Sequence, residues 1–376
     1  MRNSTFIEYF KHIIKLEIQV KKTIFHIIPK LTNGGAETVL ARLVEEFSKK
    51  NVEQVVISIQ GDENEFNYSK IAQFSKVIHV KEDFSPVKEV FQNYPEAIVL
   101  AWMYKGILKA HQWKSKFNTQ QKIFWNIRQS SFRWNQLYQK TALFVFGIYS
   151  HLKQPKIIYC SYRSKEVHEL YFFSKKKRTV IQNRLAKERV PSRSEDKESK
   201  EGKEPYFLYV GRYDPIKGPR RLVQLAEVFF SKNSGINLKI AGSGWTIDKI
   251  PQQIRDRVFL LGNVKNIFSL YREAQALLFT SHAEGYPNVL VEAVISGTPI
   301  VGFEAGDSKL ILDNYKFGHS IKTRKEFMNK LRYVIDNPVD EEEKTKEIAY
   351  QQKQLDFSIT VQEYWNFLEM NSAKSS

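Results

Sequence analysis

The chain has 376 residues, 42% of them hydrophobic, which is more than one hydrophobic core usually organises, so two domains are expected. No run approaches the ~18–20 uncharged apolar residues that span a bilayer, and the lone Cys160 excludes an internal disulfide and favours a reducing compartment. The formal net charge of +17 is unevenly placed: residues 101–185 hold 17 Lys and Arg against two acids, Glu166 and Glu169, together with Trp102, Trp113, Trp125 and Trp134, a mixture that suits an anionic lipid surface or a single-stranded nucleic acid, with a solvated basic face over core aromatics as the plainer alternative.

In chain order, the first segment, 1–22, alternates apolar and basic residues and lacks the apolar core and cleavage site of a signal peptide. It is expected to be an amphipathic interfacial helix on a cytoplasmic protein. Short apolar runs at 23–28, 54–59, 76–80, 97–102, 122–127 and 156–161 then read as strands, with helices at 36–50 and 164–173. The run 141–150 is too short to span a membrane and reads as a buried or interfacial helix. Residues 193–204, RSEDKESKEGKE, have no apolar side chain and read as a linker or solvated loop. The pattern restarts with strands at 206–211, 236–242, 257–262, 275–280 and 299–303 and helices at 219–232, 266–274 and 288–296. The C-terminal stretch from Glu341 reads as helical at 361–370. Continuous apolar strands alternating with helices indicate parallel sheets covered on both faces. The expected divisions are an N-terminal segment 1–22, an α/β domain 23–190, a linker 191–205, an α/β domain 206–340 and a helical segment 341–376.

Three segments carry chemistry. In 281–293, SHAEGYPNVLVEA, a strand ends near Thr280 and a loop bears Glu284 and Gly285. Pro287 then stands where a helix starts. Unpaired amides there suit a diphosphate or sugar oxygen. The following helix is nearly all apolar, so its one charge, Glu292, needs hydrogen-bond donors, which ribose hydroxyls would supply. The plainer reading is a capping glutamate and a structural ion pair. In 210–218, VGRYDPIKG, Arg212 and Lys217 flank a turn and can clamp a leaving diphosphate. Two surface cations in a turn is the equal alternative. In 29–38, PKLTNGGAET, Gly34 and Gly35 allow close backbone approach to a ligand; this is neither a dinucleotide fingerprint nor a P-loop. Of the scattered histidines, His26 and His168 read as structural, and only His282 lies near these segments. No Cys/His cluster has metal-ligand spacing.

In this order and spacing the three segments resemble glycosyltransferase family 4: a GG loop after the first strand, a GR…KG segment opening the second domain, and the E-x7-E signature, here Glu284 and Glu292. The run 281–301 is similar to bacterial surface-polysaccharide members. The resemblance implies an α/β GT-B fold, two Rossmann-like doubly wound domains facing across a cleft, and transfer with retention of anomeric configuration. It implies no cofactor and no metal. Arg212 and Lys217 would hold the diphosphate, with Gly34 and Gly35. Glu284, with Gly285, Tyr286, Pro287 and Asn288, would hold the donor sugar. Glu292 would bind the ribose, and the 261–264 region, with Val264, would flank the base. Catalysis would fall to Glu284, Arg212 and Lys217. The C-terminal helix would cross back to the first domain. Relatives carry histidine where this chain has Gln129 and often a second where it has Lys105, and a PNG-like loop where it has Gln182, Asn183 and Arg184. Gln129, Lys105 and Asn183 are therefore the acceptor-side candidates.

The expected partners are a UDP-sugar carrying a hexose or N-acetylhexosamine, a saccharide or polyprenyl-diphosphate-linked acceptor, and the anionic inner face of the cytoplasmic membrane, reached through 101–185. The pathway implied is capsule, O-antigen or exopolysaccharide assembly. Two other classes remain: a non-catalytic GT-B module that binds nucleotide sugar, and a nucleic-acid binder. The last explains only the basic, aromatic stretch and leaves Glu284 and Glu292 without a role.

Overall fold

The computed structural model describes residues 22–32, 34–80, 83–130, 137–185, 204–232 and 235–372. The N-terminal segment up to residue 21, the linker up to residue 203, and Trp134 lie outside them. The chain forms two compact units: Met1–Asn126 with Leu368–Ser376, and Ile127–Phe367.

In the first unit β1 (Thr23–Ile28), β2 (Glu53–Ser58), β3 (Lys76–His79), β4 (Ile98–Trp102) and β5 (Lys122–Ile127) run parallel in the order β3-β2-β1-β4-β5. Every residue of β1 and β4 is buried, which is why these runs are continuously apolar rather than alternating. Parallel neighbours need crossovers, and the helices Gly35–Ser48, Tyr68–Ala72, Ser85–Asn93 and Met103–Lys116 supply them. The last lies directly on β1. A Cβ at Gly106 would strike the Ile27 carbonyl, so glycine permits the contact.

In the second unit β6 (Lys156–Tyr159) pairs with β7 (Arg178–Val180). A six-stranded parallel sheet follows: β8 (Tyr206–Val210), β9 (Asn237–Ala241), β10 (Val258–Gly262), β11 (Ala276–Phe279), β12 (Ile300–Phe303) and β13 (Gly318–Ile321), in the order β10-β9-β8-β11-β12-β13. Alternate residues of β8 enter opposite cores. Phe207 and Tyr209 pack with Leu222, Phe229 and Phe327, whereas Tyr206 and Leu208 pack with Tyr271, Leu290 and Val294. The strand order reverses between β8 and β11, as it does between β1 and β4 in the first unit. Such a reversal opens a crevice at the carboxyl ends of the strands, where α/β sheets bind ligands.

The strands read from the sequence are all present, with ends shifted by one or two residues. The run 141–150 lies inside a longer helix, Leu137–Lys153. Other elements escaped the sequence reading. β7 is only three residues long, none fully buried, and follows a lysine run. Helix Glu341–Gln354, within the segment read as helical from Glu341, buries only Gln351 fully, so its apolar periodicity is faint. Its start is nonetheless well marked: Asp340 caps the amides of Glu342 and Glu343, and three glutamates occupy the first turn, complementing the helix dipole. Helix Arg324–Asp336 begins with a capping box of Thr323 and Glu326. The final helix, Phe357–Ser372, has its last residues in the first unit, where Glu369 pairs with Lys22 at 3.0 Å.

Each unit holds a fully buried histidine. His26 accepts at Nδ1 from the Trp102 indole, so Nε2–H faces Gln54 Oε1 at 3.3 Å. His168 Nδ1 donates to the Ser164 carbonyl at 2.6 Å. Burial lowers the pKa of both to about 4. The unfolded chain therefore binds these protons first. The stability that neutral histidine allows is complete above about pH 6.5 and lost as pH falls toward 4, by up to about 3 kcal/mol for each. Urea unfolding measured across this window should show uptake of about one proton per histidine on unfolding; a flat profile would contradict the assignment.

Candidate functional site

The site is built where the chain leaves β8 and β11. After β8 the strand runs into Gly211 and Arg212. Gly242, at φ +142°, has no room for a Cβ against the Gly211 carbonyl, so the turns after β8 and β9 lie in contact. The Trp245 indole and the Ser243 carbonyl fix this turn, bonding Gly211 O and Tyr213 N at 2.9 and 2.8 Å. Asp214 then organises the loop: Oδ1 accepts from Ile216 N at 2.9 Å, and Oδ2 accepts from Arg212 Nε and Nη2 at 3.2 and 3.1 Å. Arg212 is thus aimed but largely exposed, and can change partner.

Lys217 closes a short 3₁₀ turn, Pro215–Lys217, and Gly218 follows at φ +68°. A side chain at Gly218 would collide with the Thr280 carbonyl at the end of β11. The two strand ends are further joined by hydrogen bonds. The Lys217 carbonyl accepts from Tyr209 Oη at 3.1 Å and Thr280 Oγ1 at 3.2 Å, and His282 N donates to Ile216 O at 2.7 Å. This packing brings Lys217 Nζ to 2.7 Å from Glu284 Oε1, sixty-seven residues away in sequence. Ser281 Oγ donates to the same oxygen at 2.8 Å. Glu284 Oε2 has no hydrogen-bond partner among the described residues. The pair is three-quarters or more buried, so its attraction is weakly screened.

The next loop is held just as tightly. A Cβ on Gly285 would press on Ser130 Oγ and Cys160 Sγ at 2.9 and 3.4 Å, and one on Gly306 would strike the Glu284 carbonyl. Tyr286 and Pro287 are buried, and Pro287 precedes the helix Asn288–Ile295 with no side-chain cap on its first amides. Leu290 N donates to the Pro287 carbonyl at 3.1 Å, and the Asn288 and Val289 amides remain for an oxygen ligand. Along this helix Leu290, Val291, Ala293, Val294 and Ile295 are buried, as the apolar run requires, while Glu292 is half-buried. Its Oε2 accepts from the buried Tyr271 Oη at 3.1 Å. The donor that the sequence reading sought in a ribose is therefore partly supplied from within the protein. Burial, and then Glu292, push the Tyr271 hydroxyl well above its usual range, so it stays a donor. Val264 is half-buried, two residues beyond Gly262, which sits at φ +62°.

Among the acceptor-side candidates, Asn183 Oδ1 accepts from Arg128 Nη2, and Arg128 Nη1 donates to Tyr364 Oη at 3.2 Å. The Gln129 side chain is exposed, and its carbonyl accepts from Ser164 Oγ at 2.7 Å. Gly34, Gly35 and Lys105 belong to the first unit. Gly34 precedes helix Gly35–Ser48 without a side-chain cap, and Lys105 lies in the first turn of helix Met103–Lys116. That helix starts on Met103 at φ +57°, a strained conformation for a non-glycine residue at the end of β4.

One residue escaped the sequence reading. Asp307, just beyond β12, accepts from the Tyr162 and Arg163 amides at 2.9 Å each and from Gln182 Nε2 at 3.5 Å; its own amide donates to the Gly285 carbonyl. It therefore ties the Glu284 loop to the start of helix Tyr162–Leu170. Burial raises its carboxyl pKa despite these donors. The only signal was a Gly–Asp pair after a strand, too common to single out. Among the described residues no group of three or more His, Cys, Asp or Glu is placed to hold a metal, and no helix is long and apolar enough to cross a membrane.

The two parallel sheets with their helices have the GT-B fold of nucleotide-sugar glycosyltransferases. The structure superposes on Anabaena Alr3699/HepE, solved in complex with UDP, with a TM-score of 0.74 at 16% identity, covering 93% of this chain and 100% of that one. Residues 192–352 match the model of the family "Glycosyl transferases group 1". The serotype-specific mannosyltransferase WbdA of Escherichia coli is 30% identical over 106 residues, 26% of this chain and 13% of that protein. The GalNAc-alpha-(1->4)-GalNAc-alpha-(1->3)-diNAcBac-PP-undecaprenol alpha-1,4-N-acetyl-D-galactosaminyltransferase of Campylobacter jejuni is 32% identical over 120 residues, 30% of this chain and 33% of that protein. The matches thus span a third or less of these relatives.

Because Gly218 carries the contact that brings Lys217 to Glu284, Gly218→Ala should destabilise the fold by about 2 kcal/mol or more, through its positive φ and the clash with Thr280. A lowered urea midpoint with unchanged m value would register this. An unchanged midpoint would show that the loop relaxes freely.

Proposed function

We propose that the protein is a retaining, metal-independent glycosyltransferase of family 4. It moves a hexose or N-acetylhexosamine from a UDP-sugar to a saccharide or polyprenyl-diphosphate-linked acceptor in cell-surface polysaccharide synthesis. The observation that carries this reading is the Lys217–Glu284 pair, at 2.7 Å, in the crevice between β8 and β11. When the bond from the anomeric carbon to the diphosphate oxygen breaks, the electron pair goes to the diphosphate. Lys217, held in the loop, and Arg212, which can leave Asp214, are cations that stabilise this growing charge, the part a metal would otherwise take. Glu284 then turns from Lys217 toward the donor sugar hydroxyls, helped by the amides of Gly285, Tyr286 and Asn288. Glu292, already held by Tyr271, accepts from the ribose, and Val264 flanks the base. HepE was solved with UDP, which favours a uridine nucleotide. The name of the galactosaminyltransferase relative, which specifies a PP-undecaprenol-linked saccharide, favours a lipid-linked acceptor. Gln129 and Asn183 are assigned to the acceptor side, as is Lys105 of the first unit. Gln129 can hydrogen-bond but exchanges no proton, so its role there is positional.

We further propose docking on the anionic cytoplasmic face of the membrane. Helix Leu137–Lys153 exposes Phe144, Val145, Ile148 and Leu152 along one stripe, and Leu170 and Phe172 are exposed close by, with Phe172 edge-on to Phe144 at 5.3 Å. Lys153, Lys175, Lys176 and Lys177 are exposed around them. An apolar stripe rimmed by cations fits an interfacial helix.

Thermal-shift titration with a panel of nucleotides and nucleotide sugars tests the donor site. Stabilisation by UDP or one UDP-sugar is expected, with affinity reduced about tenfold or more in Lys217→Ala and Glu292→Ala. Silence from a folded protein would favour a module without this donor. For the membrane, the wild type should pellet with phosphatidylglycerol vesicles at low salt, and Val145→Asp/Leu152→Asp should weaken this by more than about tenfold. A wild type that stays in the supernatant removes the docking proposal.

A further inference from the structure

A second concentration of charge lies on the same sheet and takes no part in the chemistry above. The carboxyl ends of β11, β12 and β13 and the start of helix Pro219–Phe230 enclose a pocket of about 340 Å³, lined by Arg220, Arg221, His282, Phe303, Lys322 and Arg324. Four cations and no acid line it. The nearest acids in sequence are already engaged: Glu284 with Lys217 at 2.7 Å, Glu304 with Ser320 Oγ at 3.3 Å and Lys309 at 3.8 Å, and Glu326 with the amides of Lys322 and Thr323. Among the described residues, none of the four cations makes an ion pair with a carboxylate.

The arrangement is built rather than incidental. The Arg221 guanidinium lies 4.3 Å from the centre of the Phe303 ring, donates to His282 Nδ1 at 2.7 Å and reaches the Thr280 carbonyl at 3.4 Å. Arg324 Nη2 is held by Gln224 Oε1 at 2.7 Å. Burial, and then Arg221, lower the pKa of His282, which keeps its Nδ1 an acceptor for that arginine. Two helices, Pro219–Phe230 and Arg324–Asp336, begin at this pocket, each with cations in its first turn. Cations at helix N-termini oppose the positive end of the helix dipole. Packing so many around one concavity is unfavourable unless something negative enters it.

We propose that this pocket binds a compact phosphate-bearing anion, at a site separate from the Lys217–Glu284 pair. Arg221 forms the fixed floor of the site. Arg220, Lys322 and Arg324, all exposed, close around the ligand from its rim. Planar guanidinium groups offer paired donors to phosphate oxygens. The floor is shared with the donor loop, because His282 N also bonds the Ile216 carbonyl at 2.7 Å. An occupant would therefore rest on the segment that carries Ser281 and Glu284.

The test is calorimetric titration of the full chain with pyrophosphate, inorganic phosphate and a hexose phosphate, at constant ionic strength held by chloride. Saturable binding is expected in the wild type and in Lys217→Ala. It should weaken by about tenfold or more in Arg220→Gln/Arg324→Gln, which spares the half-buried Arg221. Circular dichroism confirms that each variant is folded. No saturable binding to the folded wild type overturns the proposal. So does binding that is lost in Lys217→Ala but kept in the double variant, since the anion would then occupy the donor site. Failure of UDP-sugar binding with survival of phosphate binding would leave this inference standing and remove only the donor reading. Pelleting of the double variant with phosphatidylglycerol vesicles separates the sources: unchanged pelleting assigns the pocket to a free phosphate, and a parallel loss assigns it to a lipid headgroup.

Discussion

The contact between Gly218 and the Thr280 carbonyl is the constraint on which the candidate site depends. It joins the end of β8 to the end of β11 at the point where the strand order reverses. Only a residue without a Cβ, at positive φ, lets the two loops approach this closely. Lys217 Nζ then meets Glu284 at 2.7 Å. Around this contact the Lys217 carbonyl takes two hydroxyl donors, and the His282 amide closes on Ile216. A polar pair placed this way is preorganised: its loops need not reorder when charge develops on a ligand.

The same logic separates the tasks of the second sheet. On the β8–β11 boundary one cation and one anion are paired and ready to exchange partners. Farther along the same rim, at β11 to β13, cations gather without acids. Thr280 and its neighbours serve both places, since the Thr280 carbonyl meets Gly218 on one side and Arg221 on the other. The large positive charge of the chain is thus deployed in distinct ways: a clamp beside Glu284, an acid-free pocket, and a lysine rim around an apolar helix stripe.

Much of this was legible from residue types alone. The strands of both sheets could be read because strands buried on both faces must be continuously apolar, and helices Gly35–Ser48 and Asn288–Ile295 each follow a strand after a glycine-bearing loop. Lys217 could be named because cations beside a glycine turn at a strand end suit a leaving diphosphate, and Glu284 because its spacing from Glu292 resembles the E-x7-E signature. The sequence was also enough to require a partner for Glu292, since a lone charge in an apolar helix is costly. What it could not supply was the partner's identity. Tyr271 lies twenty-one residues earlier on another helix, and only packing aims its hydroxyl at that carboxylate.

Asp307 and the Arg221 pocket mark the limit more sharply. Asp307 is one acid among forty-one Asp and Glu residues; its hold on the Tyr162 and Arg163 amides spans more than 140 positions. Arg220, Lys322 and Arg324 are ordinary surface residues in a basic chain until three strand ends bring them to one concavity. Local composition by itself determined the α/β alternation, the motif loops and the residues able to handle a phosphate. The tertiary structure alone decided which charges meet and which stay without an acid, because those outcomes depend on the sheet order and on close backbone approach, and neither leaves a periodic trace in the sequence.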